Sequence, residues 1–284
     1  MEVRGAELVW TGERELRGAT VAITEGTVAA TIPPSGGTAA TTGDDADVLD
    51  ASGCIVTPGL VNAHHHLLQS AFRTRPDARH VPMREWLAAM ASAYRAARVG
   101  PELCGAAAAV AIAEGLLCGV TTVADHHLTW PAGIDHAAMA DATISAARRL
   151  GGRLVFVRGT AGDDPETAAA ESDALARAHP GTDGMVQVAV GPAGVHSDGA
   201  EAFRLLAEVA AAHGLRRRTQ ANEQVDVERA AERYGRRPIE LLDEWGWLAP
   251  DVTVAHLCGI TDAEADRLAA SGATATHAPG CDLP

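Results

Sequence analysis

Lysine is missing altogether: all 23 basic residues among the 284 are arginine. That removes Schiff-base catalysis, pyridoxal-phosphate anchoring, a Walker-type phosphate lysine and any metal bridge built on a carboxylated lysine. Cysteine is sparse. The five (Cys54, Cys104, Cys118, Cys258, Cys281) show no CxxC spacing and are odd in number, so they read as reduced thiols of a cytoplasmic protein, mostly small core residues. Positive charge is in short supply, with 23 Arg against 37 Asp plus Glu and a formal charge of −14. Such a chain binds phosphate backbones poorly, and no nucleic-acid partner is expected. No apolar run approaches the roughly 20 residues of a membrane helix. The opening MEVRGAELVW lacks a basic stretch followed by an apolar one, so neither a signal peptide nor a membrane partner is expected. What is present, 47% hydrophobic and 21% charged residues, suits a globular protein with one large barrel-like domain plus a small one, or two ordinary domains.

Residues 1–57 read as short strands and turns. GAELVW, ATVAITEG and TVAATI are β-type runs punctuated by Gly5, Gly12, Gly18 and Gly26, and residues 33–47 form a polar loop. From residue 58 onward, strand-like and helix-like segments alternate. CIVTPGLVNA, VTTVAD, RLVFVR, MVQVAV, LRRRTQ, VTVAH and ATATH are the strands. Met83, Trp86, Leu87, Met90 and Tyr94 recur at helical spacing. Further helices are expected near 101–117, opened by Pro101, and near 133–150, 165–178, 199–213, 226–245 and 261–271. Asp198 is the expected N-cap of the 199–213 helix, which stops at Gly214. Strict alternation of this kind predicts a parallel sheet with helices outside. Seven strands are present where a (β/α)8 barrel needs eight, so the expectation is an α/β barrel at 58–284 lacking strand eight.

Ionisable residues gather where these strands end. His64, His65 and His66 follow strand one; Asp125, His126 and His127 follow strand two; Arg158 ends strand three; His196 follows strand four. Gln220 and Glu223 follow strand five, His256 ends strand six and His277 ends strand seven. Active sites of parallel barrels form at this end. His64 and His66, two apart on an extended segment, point the same way and can present two imidazole nitrogens to one metal ion, whereas His65 points oppositely. Asp125 is a candidate partner for a ligand histidine or a strand-end cap. Trp86, Trp130, Trp245 and Trp247 read as packing residues.

VTPGLVNAHHHLLQSAFR resembles the first metal-binding strand of the amidohydrolase superfamily, in the branch of 8-oxoguanine deaminase and the triazine hydrolases. GVTTVADHH, the Arg158–Gly159 pair, NEQVDVE, YGRRPIELLDEWGWL, DVTVAHLCGITDAE and ATATHAP match that branch in order. The resemblance extends to the N-terminal strands, which look like the family's small β-sandwich. It implies a mononuclear site, usually zinc, with His64 and His66 as ligands. It implies Glu223 as the carboxylate shuttling protons between water and a ring nitrogen, and His256 assisting at the water or the substrate. Gln69 and Arg158 match positions that contact a purine-like ring; His126, His127 and His196 are pocket-lining candidates. The implied chemistry is zinc-assisted hydrolysis, in which hydroxide adds to an amidine-like ring carbon and ammonia leaves.

Two features depart from that pattern. Gln220 stands where the family has a strand-five His ligand, and an amide oxygen is a much weaker zinc donor. The metal-binding Asp after strand eight has no counterpart, and Asp282 is a poor substitute. If Gln220 faces the barrel interior, so do Arg218 and Arg216, which calls for buried acids, a shifted register or a wet interior. The expectation is therefore a zinc-dependent deaminase of a purine-like or triazine-like aminoheterocycle. The alternatives are a degenerate metal-free homologue that binds a ligand or partner, and a hydrolase displacing chloride or an alkylamine. An open sheet edge leads us to expect a homo-oligomer or a complementary chain.

Overall fold

The computed structural model of the chain describes residues 1–33 and 47–279. Most of the expected polar loop, together with Cys281 and Asp282, lies outside the described residues. The chain divides into two compact units, Met1–Leu60 and Val61–Pro284.

The first unit holds β1 (Glu2–Arg4), β2 (Leu8–Trp10), β3 (Glu15–Arg17), β4 (Thr20–Thr24), β5 (Thr27–Ile32), β6 (Val48–Asp50) and β7 (Ile55–Val56). They form a four-stranded sheet in the order β5-β4-β1-β6 and a three-stranded sheet in the order β3-β2-β7. Val3 and Val21 from the first sheet, and Val9 with Leu16 and Val56 from the second, share one hydrophobic cluster.

In the second unit β8 (Leu60–His65), β9 (Val120–His127), β10 (Arg153–Thr160), β11 (Val186–Pro192), β12 (Arg216–Ala221), β13 (Val252–His256) and β14 (Thr274–Thr276) make a seven-stranded sheet in sequential order. The pairs from β9 to β14 are parallel. The fold is thus the expected α/β barrel with seven strands, nearly closed. The helices are α1 (Met83–Ala97), α2 (Pro101–Leu117), α3 (His136–Leu150), α4 (Pro165–Ala178), α5 (Ala200–His213), α6 (Gln224–Tyr234), α7 (Pro238–Glu244) and α8 (Asp262–Ser271). Local chemistry sets their ends. Asp135 and Asp164 accept hydrogen bonds from Ala138 N and Thr167 N at the starts of α3 and α4. Gly151, Gly214, Gly235 and Gly272 end α3, α5, α6 and α8 in the left-handed conformation. One expectation is corrected. Gly199, not Asp198, is the N-cap of α5. Asp198 is buried, where it accepts hydrogen bonds from Thr160 Oγ1, Gly162 N and Ser197 Oγ, tying the loops after β10 and β11 together.

The core lies between sheet and helices in two clusters. Val123, Leu154, Phe156, Val186 and Val188 pack against α2, α3 and α4. Val190, Val252 and Val254 pack with Phe203, Leu206, Ile239, Leu242 and the fully buried Trp247. Period two then turns Ala124, Ala189, Gly191, Thr253 and Ala255 inward, so this part of the inner wall is lined by small side chains. Among the described residues no helix is long and apolar enough to cross a membrane.

Gly191 marks the tightest point of that wall. A β-carbon there would collide with the carbonyl oxygen of Arg218 on β12. The obstacle is backbone, which cannot step aside. Gly191→Ala is expected to lower stability by about 3 kcal/mol or more, beyond ordinary overpacking. A urea midpoint within error of the native chain's would contradict this packing.

Candidate active site

The carboxyl ends of β8, β9, β12 and β13 bring six of the candidate residues together. The His64 ring lies 4.9 Å from that of His66, 5.9 Å from His126 and 4.7 Å from His256, centroid to centroid. His66 and His126 stack at 6.0 Å. Gln220 Nε2 is 3.3 Å from His126 Nδ1, and Glu223 Oε1 is 3.8 Å from His256 Nε2.

Backbone geometry aims these groups. His64 and His66 share the inner face of their extended segment. His126 follows Ala124 inward on β9. His256 would be expected on the outer face with Val252 and Val254, since period two carries it there. Instead, its φ is 74° and that of Leu257 is 62°. These left-handed values, costly for residues with a Cβ, turn the ring towards His64. The bend is held by Leu257 N donating to Ala221 O at 3.0 Å and His277 Nδ1 donating to His256 O at 2.7 Å. Glu223 caps α6 just after Asn222, whose φ is 59°.

Carbonyl partners assign the ring protons. His66 Nδ1 lies 2.6 Å from His126 O, which can only accept, so Nδ1 carries the proton and Nε2 keeps its lone pair. His126 Nε2 donates to Gly191 O at 3.0 Å, so its Nδ1 accepts from the Gln220 amide. Both nitrogens of His126 are therefore spent. His64 Nε2 is buried with no hydrogen-bond partner. Burial, with the neighbouring rings adding to it, holds His64 well below its ordinary pKa, His66 at about 4 and His126 at about 3. All three are neutral at physiological pH.

The remaining candidates stand elsewhere. Arg158 is buried on the helix-facing side of β10: Nη2 donates to Glu171 at 2.5 Å, Nη1 to Asp163 at 3.2 Å, and its guanidinium lies 4.6 Å over the Trp130 ring. His127 faces the same side, stacks on Phe156 and donates from Nε2 to Thr129 O. Asp125, also on that side, accepts from Leu67 N at 2.8 Å rather than from a ligand histidine. Gln69 engages the Tyr94 hydroxyl. His196 is tied through its own N–H and its Nδ1, each at 3.1 Å, to Asp226. Asp226 was not singled out from the sequence. It is buried, also accepts from Asn222 N at 2.9 Å, and so fixes the backbone beside Glu223. Its place three residues after Glu223 on α6 does not set it apart in sequence from the other carboxylates of that helix.

A zinc ion would find two donors here, His64 Nε2 and His66 Nε2. Among the described residues a third is lacking. His126 is spent, and Gln220 turns its NH2 towards it. Among the described residues no group of three His, Cys, Asp or Glu side chains stands so as to hold a metal. The described donors thus fall short of a complete zinc site.

A family model described as Amidohydrolase family matches residues 55–282. The 8-oxoguanine deaminase of Pseudomonas aeruginosa is 35% identical over 255 residues, covering 84% of this chain and 56% of that protein. An isoxanthopterin deaminase from an unknown prokaryotic organism is 31% identical, covering 82% and 52%. The chain thus spans about half the length of these curated relatives. Among solved structures, a mutant of atrazine chlorohydrolase TrzN from Arthrobacter aurescens TC1, complexed with zinc and atraton, superposes with a TM-score of 0.88 at 30% identity, covering 99% of this chain and 66% of that one.

Two expectations follow. The first concerns pH. The unfolded chain protonates each imidazole near pH 6.5, while the folded chain does so near 4 for His66 and His127, near 3 for His126 and well below 6.5 for His64. Between those values the unfolded state binds more protons, so stability falls as pH drops from 6.5 towards 4. Asp125, pushed up to about 7 by burial, works the other way, favouring the fold as pH drops below 7. Four rings outweigh one carboxyl. With chelator present, the melting temperature is expected to fall across this window; a flat or rising profile would show the rings to be hydrated. The second is that Gln220→His supplies the third imidazole and tightens zinc binding about tenfold or more, roughly 1.4 kcal/mol. Unchanged affinity would mean that residue 220 does not face the donor pair.

Proposed function

This chain belongs to the amidohydrolase family, and from that premise we propose that it is a hydrolytic deaminase of a purine-like or triazine-like aminoheterocycle. One observation carries the reading: Glu223 and His256, 3.8 Å apart, stand beside the His64–His66 pair at the carboxyl ends of the strands. The deaminases among the relatives support the reaction type.

In this reading Glu223 takes a proton from water as the oxygen adds to the ring carbon bearing the amino group. It then returns that proton to the departing nitrogen, so one water is consumed, one C–N bond breaks and ammonia leaves. His256, with Nε2 3.8 Å from the carboxylate, orients the water. Backbone anchors hold both groups still: Asp226 on the Asn222 amide, and His277 on the His256 carbonyl. His64 and His66 are the residues that would hold a metal ion, which would supply acidification of the attacking water. Arg158 is committed to Glu171 and Asp163 and leaves ring recognition to the inner wall.

A second reading, a metal-free homologue that binds its ligand without turning it over, is supported by the Gln220 amide pointing at His126. Displacement of chloride or an alkylamine from a triazine ring is a third chemistry, to which the atrazine chlorohydrolase likeness lends weight.

The test is a panel of 8-oxoguanine, isoxanthopterin and amino-, chloro- and alkylamino-triazines, with and without added zinc, scored for ammonia, chloride and amine release. Ammonia is expected from at least one ring, and Glu223→Gln is expected to lower kcat about 10²–10⁴-fold with the melting temperature unchanged. Ring binding without release of any leaving group would favour the binding protein over the enzyme.

A further inference from the structure

The inner face of β12 carries a positive charge that no described acid neutralises. Arg218 lies between Gln220 and Arg216 on that face, in register with Thr253 of β13. Its Nη2 donates across the barrel interior to the carbonyl of Ala63, the residue immediately before His64. The nearby carboxylates are engaged elsewhere. Asp251 pairs with Arg217 at 2.7 Å, Asp226 holds His196 and Asn222, and Glu264 pairs with Arg237 at 2.9 Å. Burial holds Arg218 down to about 10, so it is charged at neutral pH.

We propose that Arg218 is the resident cation of this barrel mouth and that its charge excludes a divalent metal ion from the His64–His66 donor pair. The two imidazoles are neutral, the carboxylate of Glu223 lies towards His256 at 3.8 Å, and a guanidinium held on the neighbouring carbonyl repels an incoming ion. The incomplete donor set and the fixed cation act in the same direction, and both arise on β12, at Gln220 and Arg218. Replacing Gln220 alone supplies a ligand but leaves the repulsion in place. This inference concerns metal binding alone and does not rest on the deaminase reading.

The experiment is a zinc titration read by competition with a chromophoric chelator and by metal content after dialysis. It compares the native chain, Arg218→Met, Arg218→Lys, Gln220→His, and Arg218→Met combined with Gln220→His. Arg218→Met keeps the length of the side chain and removes the charge. It is expected to raise zinc affinity at least about tenfold in either background, while Arg218→Lys, still charged, stays within about threefold of the native chain. The native chain is expected to retain less than about one-tenth of an equivalent after dialysis. A folded Arg218→Met variant with native affinity overturns the proposal. If that variant does not fold, one equivalent of tightly held zinc in the native chain or in Arg218→Lys overturns it equally, and weak binding in both upholds it.

Discussion

An imidazole has two nitrogens, and the partner of one decides what the other can do. That constraint governs this barrel mouth. A backbone carbonyl at 2.6 Å fixes the proton of His66 on Nδ1 and leaves Nε2 facing the cluster. A carbonyl at 3.0 Å on the other nitrogen of His126 reverses the outcome, because the lone pair it leaves is taken by Gln220. Two rings stacked 6.0 Å apart therefore play different parts, one an open donor and one a closed structural post. The difference comes from which strand carbonyl lies within reach, which is a property of the sheet register and not of the residue type.

Much of this was legible in the sequence, and the limits of legibility have physical causes. Alternation of strands and helices predicted the parallel barrel because period two and period 3.6 are imposed by the backbone itself. The HxH pair was legible for the same reason. His256 shows where the rule stops. Alternation sends it outward with Val254, and only the left-handed turn at His256 and Leu257, invisible to a periodicity argument, brings it back. Arg158 shows a different limit. Its residue type and strand-end position point equally to ligand contact and to an ion pair, and Glu171, thirteen positions away on the following helix, engages it. Asp226 was hidden because a buried acid that binds backbone N–H groups looks, in sequence, like an ordinary helix-surface carboxylate.

Three of the seven non-glycine residues with positive φ among the described residues lie where the candidate chemistry is. Asn222, His256 and Leu257 all have positive φ, at 59°, 74° and 62°. Residues with a Cβ hold such angles at a cost of about 1–3 kcal/mol each, and persist there only when the surroundings over-determine them. Here they do. Asn222 is fixed by Asp226 on its N–H, Glu264 on its amide and Gly259 on its carbonyl; Leu257 is fixed by Ala221. The ends of β12 and β13 are stitched to each other and to α6, so Glu223 and His256 move as one piece.

The register of β12 explains why an arginine is tolerated inside. Sliding the strand by one residue would send Arg216, Arg218 and Gln220 outward and relieve the charge. It would also turn Ala221 away from the core formed with Val254 and Leu268, and bring Arg217 inward from Asp251, which it grips through two hydrogen bonds of 2.7 and 2.8 Å, and from the Trp247 ring at 5.1 Å. Five consecutive pairs with β13, from Arg217–Val252 to Ala221–His256, would be lost together. An uncompensated buried cation is expensive, but a carbonyl partner and residual hydration reduce that cost, whereas nothing replaces a mispaired central strand. The outer face of β12 therefore fixes what its inner face presents, and the charge at the mouth follows from packing decided on the other side of the sheet.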